Sequence, residues 1–224
     1  PFIHNAGLQN AFRLFTAESI NDFANGLCHI IRQECDLPIT HNSALGFNLL
    51  NAQLFQQLDV AGFDTYAPAN LFGTYQLNLD MYRNVKAHAA DFLLLETSTA
   101  HAGHIQNYAA PNPPGYLTNE AFLGFAAGLK MFNYWLFRGH RFGVEQPHAA
   151  VLTAWGEPDL HYDEVQAVGQ LVQQMRPVLD RTRPVRASVA IAYSDDARRF
   201  FNIETGGYYN YRSLISQLYS SVLH

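Results

Sequence analysis

Asp91-Phe92-Leu93-Leu94-Leu95-Glu96 is the stretch on which the fold turns. It is a short apolar run without polar alternation, read as a strand buried on both faces, and such strands belong to parallel sheets. A stretch of helical period over residues 77–90 feeds into it. The same order repeats outward in both directions. Residues 49–58 feed Val60-Ala61-Gly62-Phe63-Asp64-Thr65-Tyr66, stopped by Pro68, and residues 121–129 feed a run over 130–136. The first helix places Ile20, Phe23, Leu27, Ile30 and Ile31 on one face, with Thr16 as its expected N-cap and Glu18 in its first turn. Pro38 ends it and opens Ile39-Thr40-His41-Asn42.

Four strand-like runs set among helices imply parallel strands joined by right-handed crossovers. No GxGxxG or GxxxxGK[ST] follows any of them, so a barrel is the better reading than a dinucleotide or nucleotide fold. His41 and Asn42, Asp64 and Tyr66, Glu96, and Arg138 lie at or just past the carboxyl ends of the runs. In a (β/α)8 barrel that end gathers the catalytic residues. A whole barrel takes eight units and about 250 residues, so this α/β chain is expected to supply half of one. A long amphipathic stretch with Val165, Val168, Val172, Met175 and Leu179 follows, and Arg181-Thr182-Arg183-Pro184 suits a linker. Beyond it, residues 185–193 read as a new β-run, and Tyr211, Leu214, Ile215, Leu218 and Val222 mark a closing helix. The expected division is 1–184 for the partial barrel and 185–224 for the first β-α unit of a second α/β domain. The chain opens on Pro1 and stops at His224 directly after that helix. It is read as a piece of something longer.

Composition narrows the function. The 224 residues are 48% hydrophobic and 15% charged, enough for a packed core. A formal charge of −5, from 14 basic and 19 acidic residues, and the lack of a basic run argue against nucleic acid or an anionic membrane as partner. No apolar run approaches the roughly 20 residues of a membrane span. Cys28 and Cys35 are too few for a disulfide framework; seven apart on one helix, they read as buried free thiols. No asparagine stands in an N-x-[ST] sequon, which fits a cytoplasmic bacterial enzyme.

Glu96 is the first candidate for chemistry. A carboxylate at the mouth of a buried strand can serve as nucleophile or acid/base group, and its structural alternative is a salt-bridged strand end. Glu145 and His148, three apart in a loop, offer acceptors suited to neighbouring sugar hydroxyls, or a loop held by its own hydrogen bonds. Spacing alone does not decide whether Glu96 and Glu145 are a two-carboxylate glycosidase pair. With 12 tyrosines, 16 phenylalanines and 2 tryptophans the chain is rich in rings. Tyr66, Tyr108, Trp135 and Phe142 near strand ends suit sugar faces, while Phe23, Phe63, Phe92 and Phe125 are assigned to the core. His101-Ala102-Gly103-His104 is the densest histidine pair, but no HExxH or Cys/His set accompanies it, so no metal site is expected.

Several segments, in order, carry a resemblance: Asn5-Ala6-Gly7-Leu8 with Phe12-Arg13-Leu14-Phe15; Pro38-Ile39-Thr40-His41-Asn42; Leu58-Asp59 through Asp64-Thr65-Tyr66-Ala67-Pro68; and Leu93-Leu94-Leu95-Glu96. Pro114-Gly115, residues 135–138 and Glu145-Gln146-Pro147-His148 keep the same order downstream. Together they resemble glycoside hydrolase family 42, the β-galactosidases of the clan with two barrel glutamates. The resemblance implies the second half of a TIM barrel, a retaining hydrolysis of terminal β-D-galactosyl residues, and no cofactor. It makes Glu96 the nucleophile, puts Tyr66 in hydrogen-bond reach of that carboxylate, and has Glu145 and His148 hold galactose hydroxyls. Tyr108 stands where the family carries a tryptophan that packs on the sugar. Asn42 and Arg138 complete the substrate-binding candidates.

The family's acid/base glutamate follows an asparagine on an earlier strand, so it is expected before residue 1. Asn119-Glu120 lies after the nucleophile, opens a helix, and is not that pair. A cysteine zinc cluster, where the family has one, also lies upstream. The partners implied are a β-galactoside or oligosaccharide, the N-terminal half of the barrel, and copies of the protein in a trimer. Alternatives are a non-catalytic carbohydrate-binding or scaffold protein on a decayed barrel, or another retaining glycosidase of the same clan.

Overall fold

The computed structural model describes residues 5–86, 91–185, 187–204 and 209–223, with the side chains of Tyr108 and Glu204 outside that description. By internal contacts the chain divides into two units. The first comprises Pro1–Ala61, Val85–Ala89 and Arg186–His224, and the second Gly62–Asn84 and Ala90–Val185.

The second unit is built on a three-stranded sheet of β1 (Ala61–Asp64), β2 (Phe92–Thr97) and β5 (Met131–Tyr134), in the order β1-β2-β5. β2 and β5 pair in parallel, with Leu93 opposite Met131 and Thr97 opposite Tyr134. The connections carry helices: α3 (Phe72–Tyr82) between β1 and β2, α4 (Tyr116–Ala126) between β2 and β5. A small hairpin, β3 (Gly103–His104) with β4 (Asn107–Tyr108), projects from the loop after β2. Helix α5 (Tyr162–Leu179) follows β5 and packs Val165, Val168 and Val172 against Tyr116, Leu117 and Ala121 of α4. Glu164 at its start accepts from the Thr118 amide at 3.1 Å, satisfying one of the orphan donors in the first turn of α4. Phe63 and Phe92 stack at 6.1 Å and are fully buried, so the core lies on the strand runs themselves.

The first unit is helical. Helix α1 runs from Ala6 to Glu34, not from Thr16. Asn5 caps it by accepting from the Leu8 amide at 2.9 Å, whereas the Thr16 hydroxyl bonds back to the Phe12 carbonyl from inside the helix. Its buried residues are Ala17, Asn21 and Cys28. The apolar stripe therefore faces outward, and Phe23, assigned to the core, is 69% exposed. An apolar stripe of this kind marks an interaction surface. Cys28 is buried, while Cys35 lies beyond the last helical residue and is only half-buried.

Two expected strands do not form. Residues 39–42 join no strand, and their bonds to residues 59–60 are mixed: Asp59 N donates to the Ile39 carbonyl at 2.8 Å, the Asp59 carboxylate accepts from the Ile39 amide, and the Thr40 hydroxyl donates to the Val60 carbonyl. Side chains stand in for a backbone ladder. Among the described residues of 185–193 there is no strand either, and Val189 is 61% exposed; an apolar run without a pairing partner has no ladder to join. Helix α6 (Asp195–Glu204) follows, then α7 (Tyr211–Leu223). Among the described residues no helix is long and apolar enough to cross a membrane.

The start of α6 ties this unit together. Asp195 accepts from the backbone and side-chain amides of Asn51, the first residue of α2 (Asn51–Leu54), at 2.8 and 3.1 Å. Buried Arg198 lies 3.8 Å from Asp195 and donates to the carbonyls of Leu45 and Leu49. Replacing Arg198 with alanine is expected to cost about 3 kcal/mol, because it removes the cation beside a largely buried carboxylate. The readout is a lower denaturation midpoint at unchanged slope. An unshifted midpoint would mean that Asn51 and the Tyr193 hydroxyl satisfy Asp195 without it.

Candidate active site

The site forms where β1 and β2 end. Tyr66 leaves β1 two residues after its last member, and Glu96 is the penultimate residue of β2. The Thr65 amide donates to the Glu96 carbonyl at 3.0 Å, so the two strand ends are in register. Tyr66 Oη then donates to Glu96 Oε2 at 2.7 Å. Burial, the bond to Glu96 and the carboxylates of Glu96, Asp64 and Glu145 push the Tyr66 phenol well above its usual range. It is thus a permanent donor, fixing which way the Glu96 carboxylate points.

Glu145 and His148 come from the loop after β5. The His148 amide donates to the Glu145 carbonyl at 2.9 Å, closing a turn that puts both side chains on one short segment. The His148 ring meets Tyr66 edge-on at 5.4 Å between centroids. Burial lowers its pKa, so the imidazole is neutral at neutral pH. His148 Nδ1 lies 2.9 Å from the Ala149 carbonyl. That carbonyl can only accept, so Nδ1 carries the proton and Nε2 is left as an acceptor. Tyr66 is the hub, touching Glu96 and His148 and lying in the field of Glu145. Two carboxylates and an acceptor imidazole around one protonated phenol suit a ligand rich in hydroxyl donors.

Sequence reasoning missed what holds this loop. His101 Nε2 lies 2.9 Å from the Pro147 carbonyl, and the Ala149 amide donates to the His101 carbonyl. The Ile105 amide donates to the Val144 carbonyl at 2.7 Å. The loop after β2 thereby clamps the loop that carries Glu145 and His148. The dense His101–His104 pair was the visible signal, and its role here is a hydrogen-bonded anchor. Among the described residues no three His, Cys, Asp or Glu converge to hold a metal.

The remaining candidates have other partners. Exposed Arg138 points its Nε at the Ala154 carbonyl, 3.3 Å away, in a segment where residue 138 bridges to Leu152. Asn42 lies in the first unit, its carbonyl 2.6 Å from His41 Nδ1. Tyr108 is paired with Gly103 in the hairpin, and its side chain lies outside the described residues. Trp135 follows β5, its amide donating to the Thr97 carbonyl at 2.7 Å, and the Trp135–Leu136 peptide is cis.

The family model Glyco_hydro_42, described as beta-galactosidase, matches residues 1–175. The chain belongs to glycoside hydrolase family 42. Two relatives carry the name Beta-galactosidase YesZ. The protein of Bacillus licheniformis is 39% identical and that of Bacillus subtilis 40% identical, each over the whole of this chain and 34% of its own length. The chain thus spans about a third of the relatives it matches. Among solved structures, the beta-galactosidase from Bacillus circulans sp. alkalophilus superposes with a TM-score of 0.87 at 19% identity, over 99% of this chain and 34% of that one. The polyextremophilic enzyme from Halorubrum lacusprofundi gives 0.83 at 22%, over 99% and 35%. These likenesses establish the fold: family 42 architecture, a (β/α)8 barrel of which this chain forms part. The expectation that the chain forms part of such a barrel holds.

Proposed function

We propose that this chain supplies the nucleophile half of the active site of a retaining β-galactosidase. The observation that carries the reading is the Tyr66–Glu96 hydrogen bond, 2.7 Å long, at the carboxyl end of a parallel strand beside Glu145 and His148. Glu96 attacks the anomeric carbon while a glutamic acid on a segment outside this chain protonates the glycosidic oxygen. The carbon–oxygen bond to the leaving group breaks as the bond to Glu96 forms. Water, deprotonated by the same outside residue, then releases galactose with its configuration retained. Tyr66 orients the nucleophile, and Glu145 with His148 accepts from galactose hydroxyls. Tyr108 and Arg138 belong to the outer contacts of the bound sugar. No cofactor enters this chemistry.

The family match ending at residue 175 supports a boundary near 184, with 185–224 opening a second domain that contributes to a trimer. The outward apolar stripe of α1 supports a partner segment, which we assign to the N-terminal half of the barrel. A cytoplasmic bacterial location completes the reading.

The test is hydrolysis by the protein with its whole barrel. Nitrophenyl β-galactoside is expected to be cleaved at least tenfold faster than the corresponding glucoside or arabinoside, and proton NMR is expected to show β-galactose as the first product. Release of α-galactose first would overturn the retaining mechanism, and a preference for another sugar would overturn the substrate.

A further inference from the structure

Two buried threonines flank the Tyr66–Glu96 pair in sequence, Thr65 before the tyrosine and Thr97 after the glutamate. Each is held by a polar side chain from a crossover helix. Asn78 of α3 donates to Thr65 Oγ1 at 3.0 Å, and Thr97 Oγ1 donates to Glu120 Oε1 of α4 at 2.9 Å. Asn78 is a neutral amide that also bonds back to its own helix at the Thr74 carbonyl. Glu120 is the costly member of the pair. It is fully buried, and its second oxygen has no protein partner among the described residues.

The position does not need a carboxyl for packing. Tyr116, Leu117, Glu120, Ala121 and Gly124 form the buried stripe of α4, where leucine would fill the same space without desolvating a polar group. Tyr75 Oη closes the pocket from α3 by donating to the Glu120 backbone carbonyl at 2.9 Å. That approach needs glycine one turn on, since a Cβ at Gly124 would lie 2.6 Å from Tyr75 Oη. Among the described residues the side chain of Glu120 has one hydrogen-bond partner, Thr97.

Thr97 is the last residue of β2, next to the proposed nucleophile. Its carbonyl accepts from the Trp135 amide, and the preceding carbonyl, of Glu96 itself, accepts from the Thr65 amide. The Thr97 side chain is anchored in turn by Glu120. We propose that Glu120 is a positioning residue for Glu96: by gripping the Thr97 hydroxyl it fixes the end of β2 and the direction in which the Glu96 carboxylate is presented. This rests on the reading of Glu96 as nucleophile.

The grip is that of a largely neutral acid. Burial raises the carboxyl to about 8, against a smaller lowering by the Thr97 hydroxyl. The titratable groups bearing on it and its pocket are Tyr75 of α3, Tyr116 of α4 and Tyr134 of β5, with Glu164 of α5 acting on Tyr134. None of these is a cation.

The experiment compares wild type, E120Q, E120L, T97V and the T97V/E120L double variant in the protein with its whole barrel. kcat is normalised to the active sites trapped by a 2-deoxy-2-fluoro-galactosyl fluoride, and the labelled residue is identified by mass spectrometry. E120L and T97V are each expected to lower kcat about 10- to 100-fold with KM within about twofold. The double variant is expected to be no worse than either single one. E120Q, whose amide oxygen still accepts from Thr97, is expected to return kcat to within about threefold of wild type. Failure to fold would leave no trapped sites; if this befell E120L, T97V and E120Q would still decide. Wild-type labelling at a residue other than Glu96 would fell the nucleophile reading and this inference with it. With wild type labelled at Glu96, three results would overturn the inference alone: unchanged kcat in E120L and T97V, additive losses in the double variant, or E120Q as slow as E120L.

Discussion

Replacing Glu96 with glutamine in the protein with its whole barrel is expected to lower kcat for β-galactosides by about four orders of magnitude or more, the scale of losing a covalent nucleophile. Glutamine keeps the shape of glutamate and can still accept from Tyr66 Oη, so the strand end and the sugar contacts are expected to survive. What it lacks is the charge and nucleophilicity to displace an aglycone. KM should therefore change little while turnover collapses. The sharper form of the test uses Glu96→Ala with added azide. The small side chain leaves room for the anion on the face from which Glu96 would attack. One displacement in place of two is then expected to give α-galactosyl azide. Turnover near wild type in E96Q would remove Glu96 from the mechanism, and β-galactosyl azide would place the nucleophile elsewhere.

How much of this could be read from the sequence follows the range of the forces involved. The run over 92–96 was legible because burial on both faces leaves an unmistakable apolar string, and it lies in strand β2, whose penultimate residue is the carboxylate that its position suggested. Residues 39–42, read as a strand from their place after a helix and Pro38, are not one. Whether an extended run joins a ladder depends on what Asp59 and Thr40 do with their side chains, which no periodicity records. The face of α1 misled for the same reason: its apolar stripe is plain in the sequence, but which stripe is covered depends on the neighbours present.

At the site, Glu96 and Tyr66 could be proposed from strand ends and resemblance. Glu145 and His148 could equally have been a loop that bonds only to itself. Their approach to Tyr66 depends on His101 and Ile105, more than 35 residues away in the chain. Glu120 was hidden by a boundary. Read as opening a helix at 121, it is a solvated first-turn acid; with α4 starting at Tyr116 it falls on the buried stripe with Leu117 and Gly124. A five-residue shift turns a surface group into the most buried carboxyl described.

That burial gives Glu120 a signature in stability that does not depend on catalysis. Folding carries its carboxyl from the ordinary 4.5 to about 8, chiefly by desolvation. Below about pH 4.5 both folded and unfolded chains hold the proton and the group is neutral toward folding. Between those values the unfolded chain releases the proton while the folded one keeps it, so the folded state binds more protons and loses stability as pH rises. The loss runs at about 1.4 kcal/mol for each pH unit, roughly 5 kcal/mol once the pH passes about 8. Glutamine at 120 cannot titrate. E120Q is therefore expected to gain on wild type steadily from pH 5 to pH 8 and to hold its advantage above that, whatever fixed cost its extra amide donors impose at pH 5. Denaturation midpoints of the two proteins, measured side by side from pH 5 to pH 9, give the difference directly, because every other titrating group cancels. Parallel curves would mean that Glu120 is ionised in the folded protein, with a counter-charge or solvent reaching it between α4 and β5. A gap that widens with pH and levels off near 8 would establish a neutral acid held under the end of β2.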